Sequence, residues 1–310
     1  MFEYLGSILV EYDPGFDVLR YLTLRTLAGA ATALILSIAM GPMFIRLLEK
    51  FQFSQNVRID GPKTHYVKKG TPTMGGLLII FSIFTSTLLW ADLNNRYIWV
   101  VLFVMLTFSM IGFLDDYLKI KRKSSDGLSS LQKMTLQTIA SILVLIFLYH
   151  SAKDLAEISF IMPFLKDLII PMSPFVFVLF GMLVLVGSSN AVNLTDGLDG
   201  LAILPSVLIA TALGIIAYAM GNQIIADYLY LPHLPLSGEL IVFCGAFIGA
   251  GIGFLWYNTY PAQVFMGDIG SLTLGALLGI LAILLRHELV FAIMAGVFVI
   301  ETLSVAIQVL

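Results

Sequence analysis

Charged side chains are scarce in this sequence. Aspartate, glutamate, lysine and arginine together make up only 12% of its 310 residues, whereas an average soluble domain has about 25%. Hydrophobic residues make up 59% of the chain, and its mean hydropathy is +0.95. This shortage of charge excludes an ordinary soluble domain and predicts an integral membrane protein.

Cysteine is also rare, and a basic N-terminal segment is missing. Cys244 is the only cysteine and lies in an apolar run, so an internal disulfide is impossible and the thiol is expected to pack as a small apolar group. The N-terminal stretch MFEYLGSILVEYDPGFD is acidic and amphipathic, unlike a cleavable signal peptide. The sequence has no internal repeat and no linker, so residues 1–310 are predicted to form one integral-membrane domain.

Long apolar runs dominate the chain. A helix needs about 20 apolar residues to cross a hydrocarbon core of ~30 Å. Because the runs are continuously apolar and not alternating, strands are not expected. The sequence therefore predicts an all-α, polytopic bundle of transmembrane helices. Nine spans are expected, near residues 22–47, 74–91, 97–114, 131–149, 174–189, 198–220, 238–256, 270–286 and 289–310.

The basic residues are distributed unevenly between the loops. Eleven of the 17 lysines and arginines fall within residues 46–69 and 119–133, after the first and third spans. Basic residues favour the cytoplasmic side of a membrane. The loops after spans 1, 3, 5 and 7 are therefore predicted to be cytoplasmic, with the acidic N-terminus outside.

The densest polar motifs all fall on the predicted cytoplasmic side, and the outer loops are expected to carry nothing comparable. If these motifs were only turns between helices, they would occur on both sides of the membrane. Their position on one side therefore predicts one active site at the cytoplasmic surface. The motifs are GPKTHYVKKGTPTMGG (61–76), the Asp115–Asp116 pair, NAVNLTDGLDG (190–200) and YNTYPAQVFMGDIGS (257–271).

NAVNLTDGLDG is the most concentrated of these motifs, with two apolar runs around it. One interpretation is a solvated turn, because Asn, Asp and Gly are common turn residues. The other is a polar site at the membrane surface, because an ordinary turn does not need two carboxylates and two amides close together. The position of the other motifs favours the second interpretation.

Acidic residues in three of the loops are the candidates for chemistry. Asp115 and Asp116 end the third span, where acids oppose the helix dipole. Asp268 lies between Gly267 and Gly270 at the start of the eighth span and can also cap that helix. Five carboxylates can meet there, and carboxylate oxygens suit Mg²⁺, which commonly also takes phosphate oxygens from a substrate. The five are Asp115, Asp116, Asp196, Asp199 and Asp268.

Basic and aromatic residues accompany these acids in the sequence. The lysines near them, such as Lys68, Lys119 and Lys133, follow the positive-inside bias, and one or two of them can also bind phosphate as point charges. Phe265, three residues before Asp268, can anchor the membrane interface or stack on a base.

Four motifs together carry a resemblance over essentially the whole chain. GTPTMGG, IGFLDDYLK, NAVNLTDGLDGLA and FLWYNTYPAQVFMGDIGSL occur in this order. They resemble the phospho-N-acetylmuramoyl-pentapeptide transferases, a branch of the polyprenyl-phosphate N-acetylhexosamine-1-phosphate transferase family. GTPTMGG and YPAQVFMGD point to that branch over its relatives.

The resemblance implies a reaction, a location and partners. UDP-N-acetylmuramoyl-pentapeptide would react with undecaprenyl phosphate in the bilayer, releasing UMP and forming lipid I, the first membrane step of peptidoglycan synthesis. The family requires Mg²⁺, has ten transmembrane helices and usually forms a homodimer in the bacterial cytoplasmic membrane, with its site on the cytoplasmic face. No nucleic acid partner is expected.

The resemblance also implies roles for single residues. Asp268 matches the metal-binding aspartate of the family. Asp115 and Asp116 match its paired aspartates, one of which is proposed to deprotonate the lipid phosphate. The residues on the nucleoside side of the family site match Asn193, Asp196, Asp199, Asn258 and Phe265, with Phe265 against uracil. The polar residues that line the same cleft match Lys68, Thr73 and Lys133.

The sequence departs from the family at its end and leaves alternatives open. The family has a histidine-rich loop after span 9 and then a tenth span, and this sequence stops at Leu310, before both. We expect little activity if the molecule ends there. A shortened sequence explains this stop better than a natural pseudoenzyme does. Direct attack of the lipid phosphate is preferred to a phosphorylated Asp115 or Asp116. The alternatives are a sister transferase using UDP-N-acetylglucosamine and, from another class, an ion-coupled transporter.

Overall fold

The computed structural model describes residues 1–51, 70–122, 124, 126–162 and 169–309. Their architecture is an all-α, polytopic bundle, as the sequence predicted. The helices are α1 (Phe2–Leu9), α2 (Leu22–Lys50), α3 (Gly76–Trp90), α4 (Arg96–Arg122), α5 (Ser130–Ser151), α6 (Pro174–Thr195), α7 (Ile203–Gly221), α8 (Gln223–Leu229), α9 (Leu240–Asn258), α10 (Gly267–Leu284), α11 (Glu288–Met294) and α12 (Gly296–Val309). Short 3₁₀ helices span Pro14–Arg20, Leu155–Ile158 and Ser237–Glu239.

The helices lie where the apolar runs predicted them, but their lengths differ. Seven described helices are long and apolar enough to cross a membrane: α2, α4, α5, α6, α7, α9 with the turn before it, and α10. Helix α3, predicted as a full span, has 15 residues and at 1.5 Å per residue is about 22 Å long. This is shorter than a hydrocarbon core of ~30 Å.

The last predicted span is not one continuous helix. Helices α11 and α12 are long and apolar enough to cross a membrane only when they are taken together, and their axes differ by 73°. The break lies at Ala295, directly before Gly296, whose missing side chain weakens helix propagation. The span predicted near 289–310 therefore corresponds to a bent pair of helices, and the sequence did not indicate the bend because hydropathy reports apolar length and not direction.

One pair of short strands lies outside the predicted spans. Residues Ser159–Ile161 (β1) pair antiparallel with Ile169–Pro171 (β2), with Phe160 opposite Ile170. This pair lies in the connection between α5 and α6, outside the apolar spans. The hydropathy argument applies only to segments that cross the membrane, so it did not cover this loop.

Helix α10 forms the centre of the bundle. Every residue from Ile269 to Leu284 is buried, and α10 packs against α4, α6 and α3. Helix α9 packs in turn against α2 and α7. Because α10 is enclosed by other helices, its N-terminal end lies among the ends of its neighbours, and this places Asp268.

The opposite end of the bundle carries more polar structure than the sequence predicted. There Arg25 at the start of α2 pairs with Glu239 before α9, and the Arg25 Nη2–Glu239 Oε2 distance is 3.0 Å. Arg286 pairs with Glu288 at 2.9 Å, and both are buried. These are two isolated ion pairs and not a dense polar motif, and the sequence did not predict them because single charges from separate loops meet only in the folded chain.

Candidate functional site

Three aspartates meet where α4 ends and α10 begins. One carboxylate oxygen each of Asp115, Asp116 and Asp268 lies within 4.8 Å of the others. Asp115 and Asp116 are buried, and the side chain of Asp268 keeps 16% of its exposure. The pair from one helix and the single acid from the other are 152 to 153 residues apart in the chain. We call Asp115, Asp116 and Asp268 the acidic cluster.

Two glycines allow the backbones of α4 and α10 to approach closely at the cluster. A side chain at Gly112 on α4 would overlap the carbonyl oxygen of Asp268. Gly267 begins α10 with a φ of +73°, which favours glycine. A β-carbon at Gly267 would also lie 2.6 Å from Asp116 Oδ2. The absence of side chains at both positions therefore brings the two helices together at the acids.

The backbone of α10 holds Asp116 in place. The amide of Ile269 donates a hydrogen bond of 3.1 Å to Asp116 Oδ2. This amide belongs to the first turn of α10, where N–H groups have no partner within the helix and favour negative charge. The N-terminal end of α10 thus stabilises an acid from α4.

Two lysines lie among the three carboxylates. Lys119 Nζ is 2.6 Å from Asp115 Oδ2, 3.1 Å from Asp268 Oδ2 and 3.8 Å from Asp116 Oδ1. Lys133 Nζ, from the first turn of α5, is 2.6 Å from Asp268 Oδ2 and 3.3 Å from Asp115 Oδ1. Three negative and two positive groups leave the site with a formal charge of one negative unit.

Asn193 at the end of α6 completes the surroundings of Asp268. Its Nδ2 donates to Asp268 Oδ1 at 3.0 Å and lies 2.8 Å from Ser271 Oγ. One oxygen of Asp268 therefore faces Lys119 and Lys133, and the other faces Asn193. Helices α4, α5 and α6 all contribute to the position of one carboxylate at the start of α10.

Asp196 and Asp199 follow α6 and have different surroundings. The loss of hydration raises the pKa of Asp196 well above its usual range, and the negative charges of Asp268, Asp116 and Asp199 raise this pKa further. Asp199 Oδ2 accepts a hydrogen bond of 3.2 Å from the amide of Ala262. Of the five predicted carboxylates, three thus form the cluster, Asp196 lies within their electrostatic influence, and Asp199 binds the loop before α10.

The side chain of Asn258 connects two loops. Its Oδ1 accepts from the amide of Gly200 at 3.0 Å, and its Nδ2 donates to the carbonyl of Val264 at 2.9 Å. Asn258 is buried. Both ends of its amide thus bind backbone, and it fixes the loop after α6 against the loop before α10.

Thr73 and Phe265 lie on two chain segments that run side by side. The amide of Phe265 donates to the carbonyl of Pro72, and the amide of Gly75 donates to the carbonyl of Phe265, both at 2.8 Å. Thr73 is buried, and a β-carbon at Gly267 would lie 3.0 Å from its Oγ1. This pairing places the segment before α3 against the start of α10.

The sequence interpretation missed one contact and one residue, and it names one residue that the structure does not describe. Lys119 was only one of several lysines near the acids, and its contact with Asp268 was not predicted. Ser271 lies one turn beyond Asp268, and helical spacing alone is too weak a signal to single it out. Lys68, predicted to line the cleft, lies outside the described residues.

The acidic cluster has the donor atoms of a metal site. Its carboxylates supply only oxygen, which suits a hard divalent cation. The formal charge of the cluster and its two lysines is negative, so a cation would be attracted. Asp115, Asp116 and Asp268 can therefore bind a metal ion.

Comparison with protein families agrees with this geometry. The sequence model of glycosyl transferase family 4 matches residues 98–286, which include all of the acidic cluster. This chain belongs to glycosyl transferase family 4. Residues 68–80 also match signature 1 of phospho-N-acetylmuramoyl-pentapeptide transferase. The two matches confirm the resemblance inferred from the motifs.

In this glycosyl transferase family 4 member, the signature segment lies directly beside the acidic cluster. Gly75 and Gly76, both in residues 68–80, donate their amides to the carbonyls of Phe265 and Met266, each at 2.8 Å. The chain is thus a multi-pass membrane transferase, and the matches support a polyprenyl-phosphate sugar-1-phosphate transferase that takes a nucleotide sugar.

Proposed function

We propose that this chain transfers phospho-N-acetylmuramoyl-pentapeptide from its UDP-activated form to undecaprenyl phosphate, giving lipid I and UMP. The observation that carries the proposal is the convergence of three carboxylates and two lysines beside the segment that matches the muramoyl-pentapeptide transferase signature. Sister transferases that use UDP-N-acetylglucosamine share the reaction type, and the signature favours the muramoyl substrate over theirs.

The reaction is an exchange of phosphoanhydrides. A phosphate oxygen of the lipid attacks the phosphorus that carries the sugar, and the bond from this phosphorus to the UMP oxygen breaks. A proton on the lipid phosphate passes to a carboxylate of Asp115 or Asp116. One phosphoanhydride replaces another, so a covalent enzyme intermediate is not needed, and direct attack is the preferred path.

Positioning and charge stabilisation supply most of the rate in phosphoryl transfer. Lys119 and Lys133 present ammonium groups that bind the phosphates of the two substrates as point charges. Asn193 and Lys133 orient Asp268 from its two sides. Mg²⁺ held by Asp268 with Asp115 and Asp116 would neutralise the diphosphate and the leaving phosphate.

The remaining predicted residues are proposed to serve the nucleoside side of the site. Phe265 would stack on uracil, and Asp196 and Thr73 would contact the same substrate. Asn258 and Asp199 would also hold the loops around the nucleoside, because Asn258 binds the backbone of Gly200 and Val264 and Asp199 accepts from the amide of Ala262. The excess of lysine and arginine in the loops on this side of the sequence supports a site on the cytoplasmic face, and we propose that the protein lies in the bacterial cytoplasmic membrane as a homodimer.

UMP release tests this proposal. The protein in detergent is given undecaprenyl phosphate, Mg²⁺ and UDP-N-acetylmuramoyl-pentapeptide, beside an Asp268→Asn variant and beside UDP-N-acetylglucosamine as the donor. We expect release that needs the lipid and the metal and that falls on the order of 100-fold or more in the variant. Release only from UDP-N-acetylglucosamine would identify the sister reaction. A folded protein that neither binds nor cleaves either donor would refute both.

A further inference from the structure

A buried amide pair lies one helical turn behind the candidate site. Gln137 on α5 is fully buried, and its Oε1 accepts a hydrogen bond of 2.7 Å from Asn190 Nδ2 on α6. Asn190 Nδ2 also donates to the carbonyl of Val186 in its own helix at 2.8 Å. This is a direct side-chain hydrogen bond between the two helices.

Each member of the pair shares a helix face with a residue that contacts Asp268. Gln137 follows Lys133 by four residues, and Asn190 precedes Asn193 by three, and residues at these spacings are neighbours on a helix surface. Lys133 Nζ contacts one oxygen of Asp268 and Asn193 Nδ2 contacts the other. The amide pair thus connects the two helices that hold Asp268 from opposite sides.

The pair is poorly suited to a purely stabilising role. Within the described part of the chain, Gln137 Nε2 is buried and has no hydrogen-bond partner. An unpaired buried donor costs more than a hydrogen bond between membrane helices usually returns. An apolar side chain of similar length would hold α5 against α6 at least as well, so adhesion of the helices does not explain the amides.

A hydrogen bond between two amides is directional, whereas an apolar contact is not. The hydrogen bond fixes the rotation and the axial position of α5 relative to α6, whereas methyl groups can slide past one another. A shift at Gln137 is transmitted to Lys133 through one rigid helical turn of 5.4 Å. We propose that Gln137 and Asn190 are positioning residues that set Lys133 and Asn193 on Asp268, an inference that rests on the transferase function proposed above.

The test replaces each amide by an apolar group of similar length. Gln137→Met and Asn190→Leu are measured alone and together, with Ser141→Ala as the control. Ser141 is buried one turn further along α5, and its hydroxyl donates to the carbonyl of Gln137 in its own helix. The readouts are kcat and KM for UMP release and the thermal unfolding midpoint in detergent.

We expect kcat to fall about 10- to 100-fold in each single variant, because small misplacements of positioned groups have effects of this size. KM for the UDP-sugar should change less than about 2-fold. The double variant should lose no more than either single one, because the two residues act as a unit. The midpoint should stay the same or rise, and Ser141→Ala should keep the parental kcat. Unchanged kcat, additive losses, or losses that follow a lower midpoint would overturn the inference.

A second measurement needs no substrate. Spin labels at Leu131→Cys on α5 and Leu194→Cys on α6, both exposed positions, report the distance between the two helix ends in a Cys244→Ala background. We expect a narrow distance distribution in the parent and a broader or shifted one after Gln137→Met. An unchanged distribution would overturn the positioning role. A parent that shows no UMP release would instead count against the proposed function.

Discussion

Lys133 and Asp268 are 135 residues apart in the chain, and Lys133 Nζ lies 2.6 Å from Asp268 Oδ2. The contact joins the first turn of α5 to the first turn of α10. A helix N-terminus is a poor place for a lysine, because the helix dipole disfavours positive charge there. Lys133 occupies that place on α5 and faces the acids, which agrees with a role in binding anionic substrate.

Lys133→Met should reduce transfer by on the order of 100-fold. The variant keeps the length of the side chain but removes the charge that pairs with Asp268 and Asp115, an effect comparable to the loss of one stabilising donor in an active site. Initial rates of UMP release at saturating donor measure the change. Lys121→Met is the matched control, because Lys121 is exposed. Equal losses in the two variants would mean that general surface charge, and not this contact, matters.

Lys119→Met should separate metal binding from transfer. Lys119 Nζ lies within 4.0 Å of all three acids, so its removal makes the formal charge of the site more negative by one unit. At these distances one charge changes the interaction by at least about 1 kcal/mol, and a divalent cation should bind about 10-fold more tightly. UMP release should fall because a phosphate-binding ammonium is lost.

Mn²⁺ titration followed by electron paramagnetic resonance measures the metal affinity of the Lys119→Met variant. Asp268→Asn, measured beside it, should weaken Mn²⁺ binding. Weaker binding in Lys119→Met as well would show that the lysine supports the metal site and does not compete with the cation.

Gly267→Ala should disable the site and lower stability. Gly267 has a φ of +73°, and an added β-carbon would lie 2.6 Å from Asp116 Oδ2. Strain at such a position costs about 1–3 kcal/mol, and the displacement of Asp116 should remove most activity. Gly187→Ala is the control, since a β-carbon there meets nothing within 4 Å. Thermal unfolding and UMP release are measured on both, and a Gly267→Ala enzyme with parental rates would exclude the close approach described here.

Hydropathy and charge placement predicted the membrane helices and the end of the bundle where the polar motifs meet. They could do so because span length and the position of basic residues are local properties of the sequence. Contacts between distant positions are not local. The spacing of Asp115 and Lys119 in the sequence indicates an ordinary i,i+4 ion pair, whereas only the fold brings Asp268 close to Lys119. Gln137 and Asn190 are 53 residues apart, and neither position alone indicates a partner.

Asp196→Asn should stabilise the protein at neutral pH. The pKa of Asp196 is raised in the folded state by loss of hydration and by neighbouring acids, so the ionised form is disfavoured on folding. As the pH rises, the Asp196 carboxyl of the unfolded chain loses its proton near pH 4. The same carboxyl in the folded chain keeps its proton to a higher pH. Stability therefore falls as the pH rises from about 4 through the raised pKa, and the lost stability is not regained above it.

Thermal unfolding of parent and Asp196→Asn between about pH 4 and 8 measures this effect. The two midpoints should be similar at the acidic end, and the variant should be more stable at the neutral end. Asp126→Asn controls for a general change of charge, because Asp126 is exposed. A variant that is less stable than the parent at pH 7 would mean that ionised Asp196 is stabilised by its surroundings.

Glu239→Gln should destabilise the fold without altering the chemistry of the folded enzyme. It removes the charge that pairs with Arg25, and the side chains of Arg25 and Glu239 are only 7% and 10% exposed. An unpaired buried charge costs about 3 kcal/mol or more, so the unfolding midpoint should fall. Asp17→Asn breaks an exposed ion pair with Arg20 and should have little effect. Because Glu239 lies at the end of the bundle opposite the acidic cluster, UMP release per folded molecule should stay at the parental rate. A selective loss of kcat at an unchanged midpoint would show that the two ends of the bundle are coupled.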